Sequence, residues 1–114
     1  MKNKHHNTDK GKFSEDIAFQ FLLKAGYEIL DLNWSIGRYE IDIICRQKNY
    51  LIFIEVKSRL NSDLGNPSVA VSREKRKRII QAAYAYMEKI NYDGNFRFDI
   101  ITILGYQKES LSLE

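Results

Sequence analysis

The stretch EIDIICRQKNYLIFIEVK, residues 40–57, constrains the fold more than any other part of the chain. It sets three carboxylates and a closing lysine within two runs of Ile, Leu, Val and Phe, the residue types of strands that bury at least one face. An ionised group in such a strand is costly unless something compensates for it. Gln47, Lys48 and Asn49 interrupt the apolar pattern, so the two runs read as an antiparallel hairpin with strands over 38–46 and 50–57. Period-two alternation puts Glu40, Asp42 and Ile44 on one face of the first strand, and Leu51, Phe53, Glu55 and Lys57 on one face of the second. A turn centred on Lys48 and Asn49 then sets Asp42 opposite Glu55 and Glu40 opposite Lys57.

Directly opposed residues of an antiparallel pair have Cβ atoms about 4.5–5.5 Å apart, so Asp42 and Glu55 would bring two negative charges together beside Ile44 and Phe53. A hard divalent cation resolves that conflict: Mg²⁺ takes oxygen ligands, commonly one or two carboxylates, with waters and substrate phosphates in the remaining positions. Lys57 supplies a point charge beside such an ion, suited to orienting an attacking water or to stabilising charge on a scissile phosphate. The ion itself acidifies the water and polarises the phosphoryl oxygen. Phosphodiester hydrolysis needs these parts. The competing structural reading is a Glu40–Lys57 cross-strand pair with Asp42 and Glu55 at an exposed strand end, an arrangement worth little energetically.

Around the hairpin the elements follow one another without repeat, low-complexity tract or linker. Phe13, Ile17, Ala18, Phe21, Leu22 and Ala25 recur at helical spacing, which predicts a helix over 12–25 closed by Gly26. YEILDLN at 27–33 reads as a strand, with WSIG as the connection to the hairpin. A loop carrying Gly65 and Pro67 precedes a long helix over 69–90, with Val71, Ile79, Ala82, Ala83, Tyr86 and Met87 facing inward, and FRFDIITIL at 96–104 is the last strand. The order αβββαβ predicts an α/β (α+β) fold. Its mixed four-stranded sheet is a three-stranded meander with the fourth strand parallel to one of the three, flanked by helices either one on each face or both on one. The 114 residues make a single domain, with 1–11 and 106–114 expected as flexible ends. Glu15 projects from the flank of the first helix's apolar sector, where it either reaches the same ion or snorkels to the rim or caps the helix start.

With 44% hydrophobic and 29% charged residues the composition is that of an ordinary globular protein. Cys45 is the only cysteine, which excludes an intramolecular disulfide, and no Cys/His cluster has zinc-site spacing; His5 and His6 sit on a polar end. A cytoplasmic protein without membrane contact is expected, because MKNKHHNTDKGK has no apolar core and no apolar run approaches the roughly 18 residues of a membrane span. The net charge of +3 is mild, but SREKRKR at 72–78 gathers Arg73, Lys75, Arg76, Lys77 and Arg78 within seven positions. That field suits phosphates, or forms a solvated helix face.

An Asp, then a strand, then Glu-x-Lys on an apolar strand, all within αβββαβ, resembles the PD-(D/E)XK nucleases of restriction-endonuclease-like fold. More closely, the chain resembles the YraN family of small bacterial proteins, related to that superfamily and similar to archaeal Holliday-junction resolvases. The likeness runs through GKFSEDIAFQFLLKAGYEIL (11–30), EIDII (40–44), FIEVKSR (53–59), LGNPSVAV (64–71), Lys75 and RFDIITI (97–103). It implies that Asp42 and Glu55 are metal-binding carboxylates, Lys57 the catalytic lysine, Glu15 an auxiliary acid, and Glu40 part of the EID signature. The implied cofactor is Mg²⁺, with Mn²⁺ as a substitute. The implied partner is nucleic acid, DNA foremost and branched DNA among its forms; the 73–78 cations would then contact phosphates, and Ser58 and Arg59 either contact a phosphate or serve the entry to the loop. Junction resolvases cut two strands, so the analogy extends to a homodimer. Tyr39 stands where the family tends to have Gly, and Ile41 replaces the proline of the superfamily's motif. Two alternatives to an endonuclease remain: a catalytically silent module on the same fold that binds nucleic acid or a repair partner, and an interaction module with no nucleic-acid role.

Overall fold

The computed structural model describes residues 9–59 and 72–104, with 9–12 and 59 by backbone alone. The expectations for His5, His6, Gly65, Pro67, Val71, the LGNPSVAV segment and the end at 106–114 lie outside these residues. Six elements follow in the order α1 (Asp9–Lys24), β1 (Glu28–Ile36), β2 (Tyr39–Gln47), β3 (Tyr50–Arg59), α2 (Arg73–Lys89) and β4 (Asn95–Leu104). The αβββαβ order therefore stands, and α1 starts three residues before the expected position.

Both helices end by the same device. Tyr27 N–H donates to Leu22 O and Gly26 N–H to Leu23 O, with Gly26 at φ 92. In α2, Tyr92 N–H donates to Met87 O and Asn91 N–H to Glu88 O, with Asn91 at φ 58. These are Schellman motifs, in which a left-handed residue turns the chain and satisfies the last carbonyls. The tyrosine after each turn packs into the same core cluster as the end of its helix. At its start, α2 is capped by Ser72, whose Oγ accepts from Lys75 N–H at 3.1 Å.

The sheet order is β1-β2-β3-β4, antiparallel through β3 and parallel between β3 and β4. The β2–β3 register follows the expected turn at Lys48 and Asn49, from Gln47↔Tyr50 to Ile43↔Ile54. The first turn differs from expectation: Trp34, Ser35 and Ile36 extend β1, and Gly37 at φ 62 with Arg38 makes the turn. Gly37 absorbs the left-handed conformation, so position 39 is extended and Tyr39 packs on the core without strain.

The sheet is covered on both faces, which settles a choice the sequence leaves open. Ala18 and Leu22 of α1 pack on Ile43, Cys45, Ile52 and Ile54, while Ala82, Ala83, Tyr86 and Met87 of α2 pack on Ile41, Ile44, Leu51 and Phe53. The α1 stripe is narrower than expected. Ser14, Ala18 and Leu22, spaced by four, are buried, whereas Phe13 and Phe21 sit one helical step aside and are exposed. On the other face Tyr86 meets Trp34 edge to face at 5.1 Å and donates to Asp31 Oδ2 at 3.2 Å, which satisfies its buried hydroxyl. Cys45 is a free, buried thiol pushed up to about 12, chiefly by burial, so it is held as an inert core group.

Gly26→Ala tests the α1 stop. An added Cβ meets nothing within 4 Å, so the cost is that of the left-handed backbone alone. Urea denaturation should show a loss of about 1–2 kcal/mol; an unchanged midpoint would contradict the assignment.

Candidate active site

Alternation fails at one place in β2, and the candidate site is there. Ile43 packs on the α1 side of the sheet, but Ile41, two residues away, packs on the α2 side with Ile44. A regular strand cannot do this, so the expected grouping of Glu40, Asp42 and Ile44 on one face is corrected: the strand rotates through Asp42. On β1 the flanking pairs Leu32↔Ile43 and Trp34↔Ile41 set Asn33 level with Asp42, and Asn33 has φ 50. Asparagine tolerates that conformation better than most residues.

The rotation opens the β2–β3 ladder, whose last pair is Ile43↔Ile54. The next β3 amide directed at β2, that of Val56, donates at 2.8 Å to Asp42 Oδ2 instead of to backbone. Asp42 is thereby fixed beside the residue that follows Glu55. Its carboxyl is pushed up to about 7, first by burial and then by the charge of Glu55, against the Val56 hydrogen bond; Glu15 raises it further and Lys75 lowers it. Groups from both helical layers therefore act on this one carboxylate.

Glu55 is buried, 7% exposed, and its Oε2 lies 2.7 Å from Lys75 Nζ. Burial alone would lower the Lys75 ammonium, but the hydrogen bond and charge of Glu55, with Asp42 and Glu40 behind it, raise it above its ordinary value. From the α1 side, Glu15 Oε1 accepts from Asn33 Nδ2 at 3.0 Å. Burial raises the Glu15 carboxyl, the Asn33 bond opposes this, and the charges of Glu40, Glu55 and Asp16 add to the rise. Glu15, Asp42 and Glu55 thus sit within electrostatic reach of one another, Glu40 acts on Glu15, and Lys75 feels Glu55, Asp42 and Glu40.

The other expected residues are placed as follows. Lys57 is half-buried on β3, in register with Thr102 of β4, and Ser58 follows level with Ile103; the Arg59 side chain lies outside the described residues. Arg73, Arg76, Lys77 and Arg78 are exposed on the first turns of α2. At about 100° per residue Arg73, Arg76 and Lys77 share one solvent face with Arg78 to its side, and Lys75 alone falls in line with Ile79, Ala82 and Tyr86. That spacing of four, three and four was the sequence signal for Lys75 as a member of the acidic cluster. Asn33 carried a fainter one, as a polar, strand-averse residue within LDLNW. An open groove of about 340 Å³ leads from Glu55 between α2 and β4, walled by Phe53, Arg76, Ile80, Phe98 and Ile100.

Among the described residues no three His, Cys, Asp or Glu side chains gather at ion-holding distance. Asp42 and Glu55 are the residues that would hold a hard cation. The pair fits such an ion chemically, because buried like charges leave Asp42 short of positive charge and Mg²⁺ fills its remaining positions with water. No helix among the described residues is long and apolar enough to cross a membrane.

The family model described as "Uncharacterised protein family UPF0102" matches residues 14–103, which include Glu15, Asp42, Glu55, Lys57 and Lys75. The chain belongs to this family. A UPF0102 protein of Flavobacterium psychrophilum is 41% identical over 104 residues, covering 91% of this chain and 87% of its own length. Another, of Phocaeicola vulgatus, is 43% identical over 109 residues, covering 96% and 88%. A third, of Clostridioides difficile, is 41% identical over 104 residues, covering 90% and 91%. The YraN likeness read from the sequence is thus membership of UPF0102.

The Asp42 carboxyl gives a pH-dependent prediction. Its folded value, about 7, lies above its ordinary 3.8, so between these values the folded chain keeps a proton that the unfolded chain releases. Stability contributed by this group is present below pH ~4 and lost as pH rises through ~7. Asp42→Asn keeps an acceptor for Val56 N–H without the charge. With chelator present it should be more stable than wild type by roughly 1–3 kcal/mol at pH 8 and by little at pH 4. Equal stability of the two at both pH values in urea titrations would refute the crowding.

Proposed function

We propose that this UPF0102 protein is a cytoplasmic, metal-dependent nuclease that hydrolyses phosphodiester bonds, with DNA as its expected substrate. The observation that carries the reading is the meeting of Asp42 and Glu55 where β2 and β3 separate, held by the Val56 amide and balanced by one lysine. Its likeness to the PD-(D/E)XK pattern supports the same conclusion.

In this reading Asp42 and Glu55 hold Mg²⁺ or Mn²⁺, and the ion supplies Lewis acidity toward a phosphoryl oxygen. Lys57 orients the attacking water from its place two residues beyond Glu55. Asn33 fixes the Glu15 carboxyl, which adds negative potential from the α1 side and strengthens the attraction for a cation. Lys75, tied to Glu55, holds that carboxylate in place until the ion arrives. Arg73, Arg76, Lys77 and Arg78 offer phosphate contacts on the exposed start of α2, with Ser58 and Arg59 at the end of β3. Several such contacts make binding fall steeply with salt. The alternative is the catalytically silent module on the same fold, which keeps the site but does not cut.

Mg²⁺ and Mn²⁺ titration followed by cleavage of single-stranded, duplex, flap and junction DNA separates the two. Wild type should bind the ion and cut; Asp42→Asn should lose ion binding. Glu55→Ala and Lys57→Ala should each lose cleavage by at least about 100-fold while keeping their far-UV circular dichroism. Ion binding without turnover on any substrate would establish the silent module, and undiminished cleavage by both variants would end the assignment.

A further inference from the structure

Strand β4 is the outer strand of the sheet, and among the described residues nothing pairs with its free edge. It runs for ten residues, Asn95–Leu104, without proline or lysine, two of the features that keep an edge strand from pairing, and its charges, Arg97 and Asp99, are of opposite sign. Helix α2 packs chiefly over β2 and reaches β4 only at its margin, where Tyr84 meets Phe96 at 6.2 Å. Phe96, Phe98 and Ile100, on the α2 face beside Phe53, are therefore left 36%, 40% and 50% exposed. On the other face Arg97 and Asp99 form an ion pair at 3.2 Å.

We propose that β4 is the interface with a second copy of this chain, pairing antiparallel with itself about a two-fold axis at Phe98. The register follows from symmetry and charge. A two-fold axis perpendicular to the sheet keeps each face continuous, so it must pass midway between the two copies of one residue, which then stand opposite each other. Centred on Arg97 or on Asp99, it would oppose two like charges. Centred on Phe98, it sets Arg97 opposite the partner's Asp99 twice, Phe98 opposite the partner's Phe98, and Phe96 opposite the partner's Ile100. Opposite charges on one face and apolar pairs on the other are the stabilising cross-strand combinations. The sequence Phe-Arg-Phe-Asp-Ile is in this sense complementary to its own reverse.

The pairing yields one continuous eight-stranded sheet. Glu55 is level with Ile100 of β4, so the two acidic sites would face the same side of that sheet about 20 Å apart. The inference stands independently of the nuclease reading, because its test is mass and not activity.

Sedimentation of the full chain at tens of micromolar should give twice the chain mass. Arg97→Asp and Asp99→Arg, each alone, should raise the dissociation constant roughly tenfold or more by opposing like charges. Mixed in equal amounts, the two single variants should form a heterodimer, since every 97–99 contact is then complementary although neither chain retains its internal ion pair. A monomeric wild type, unchanged dimers of the single variants, or failure of the mixture to associate would each overturn the proposal.

Discussion

The structure turns on a repulsion it does not remove. Asp42 and Glu55 stand on neighbouring strands as they diverge, and burial together with the Glu55 charge keeps the Asp42 carboxyl at about 7. A fold selected only for stability would place apolar residues here, since Ile, Leu, Val and Phe already fill both strands. Keeping two carboxylates instead costs free energy at neutral pH, and the surrounding groups act to limit that cost. The Val56 amide bonds Asp42, Lys75 pairs with Glu55, and Asn33 bonds Glu15. The Val56 bond to the buried Asp42 carboxylate is of the charged kind that contributes about 1.5–3 kcal/mol, while the solvent-screened Lys75 pair adds little, so the penalty is lessened without being cancelled.

The way these groups converge depends on the fault in alternation. Helix α1 and helix α2 lie on opposite faces of the sheet, so side chains from both would normally never meet. The rotation of β2 at Asp42, with Asn33 left-handed on the neighbouring strand, places one carboxylate between the layers. Glu15 then acts on it from one side and Lys75 from the other. The local irregularity is thus the physical link between the two halves of the αβββαβ arrangement.

The sequence carries the frame well because its signals are local. Alternation over 38–46 and 50–57, the interruption at Lys48 and Asn49, and Gly26 after an apolar helix each act within a few residues, and the β2–β3 register followed from them. Misplaced features came from influences beyond that range. Trp34 to Ile36 stay in β1 because Trp34 packs on Tyr86, more than fifty residues away. Phe13 and Phe21 are exposed because small side chains, Ser14 and Ala18, are the ones that meet the sheet. The break at Asp42 has no period to announce it, since alternation patterns assume a regular strand. Lys75 was legible as one of five cations, and its spacing with Ile79, Ala82 and Tyr86 separates it from Arg73 and Lys77, yet only the position of α2 over the sheet brings it to Glu55.

That separation makes Lys75 the counter-charge of the acidic cluster. Lys75 brings one positive charge to these carboxylates, and it bonds Glu55, not Asp42. The ammonium is nearly half exposed, so water screens the pair and its net worth is small. A cation bound by both carboxylates supplies twice the charge at a buried position, where screening is weaker and Coulomb attraction correspondingly larger. On the proposed reading, exchange of lysine for such an ion would be favoured by charge and little opposed by the bond that must break. On the proposed reading the same lysine, once displaced from Glu55, remains anchored on α2 beside Arg76, at the mouth of the groove that leads to the site, where a phosphate would next require a positive charge.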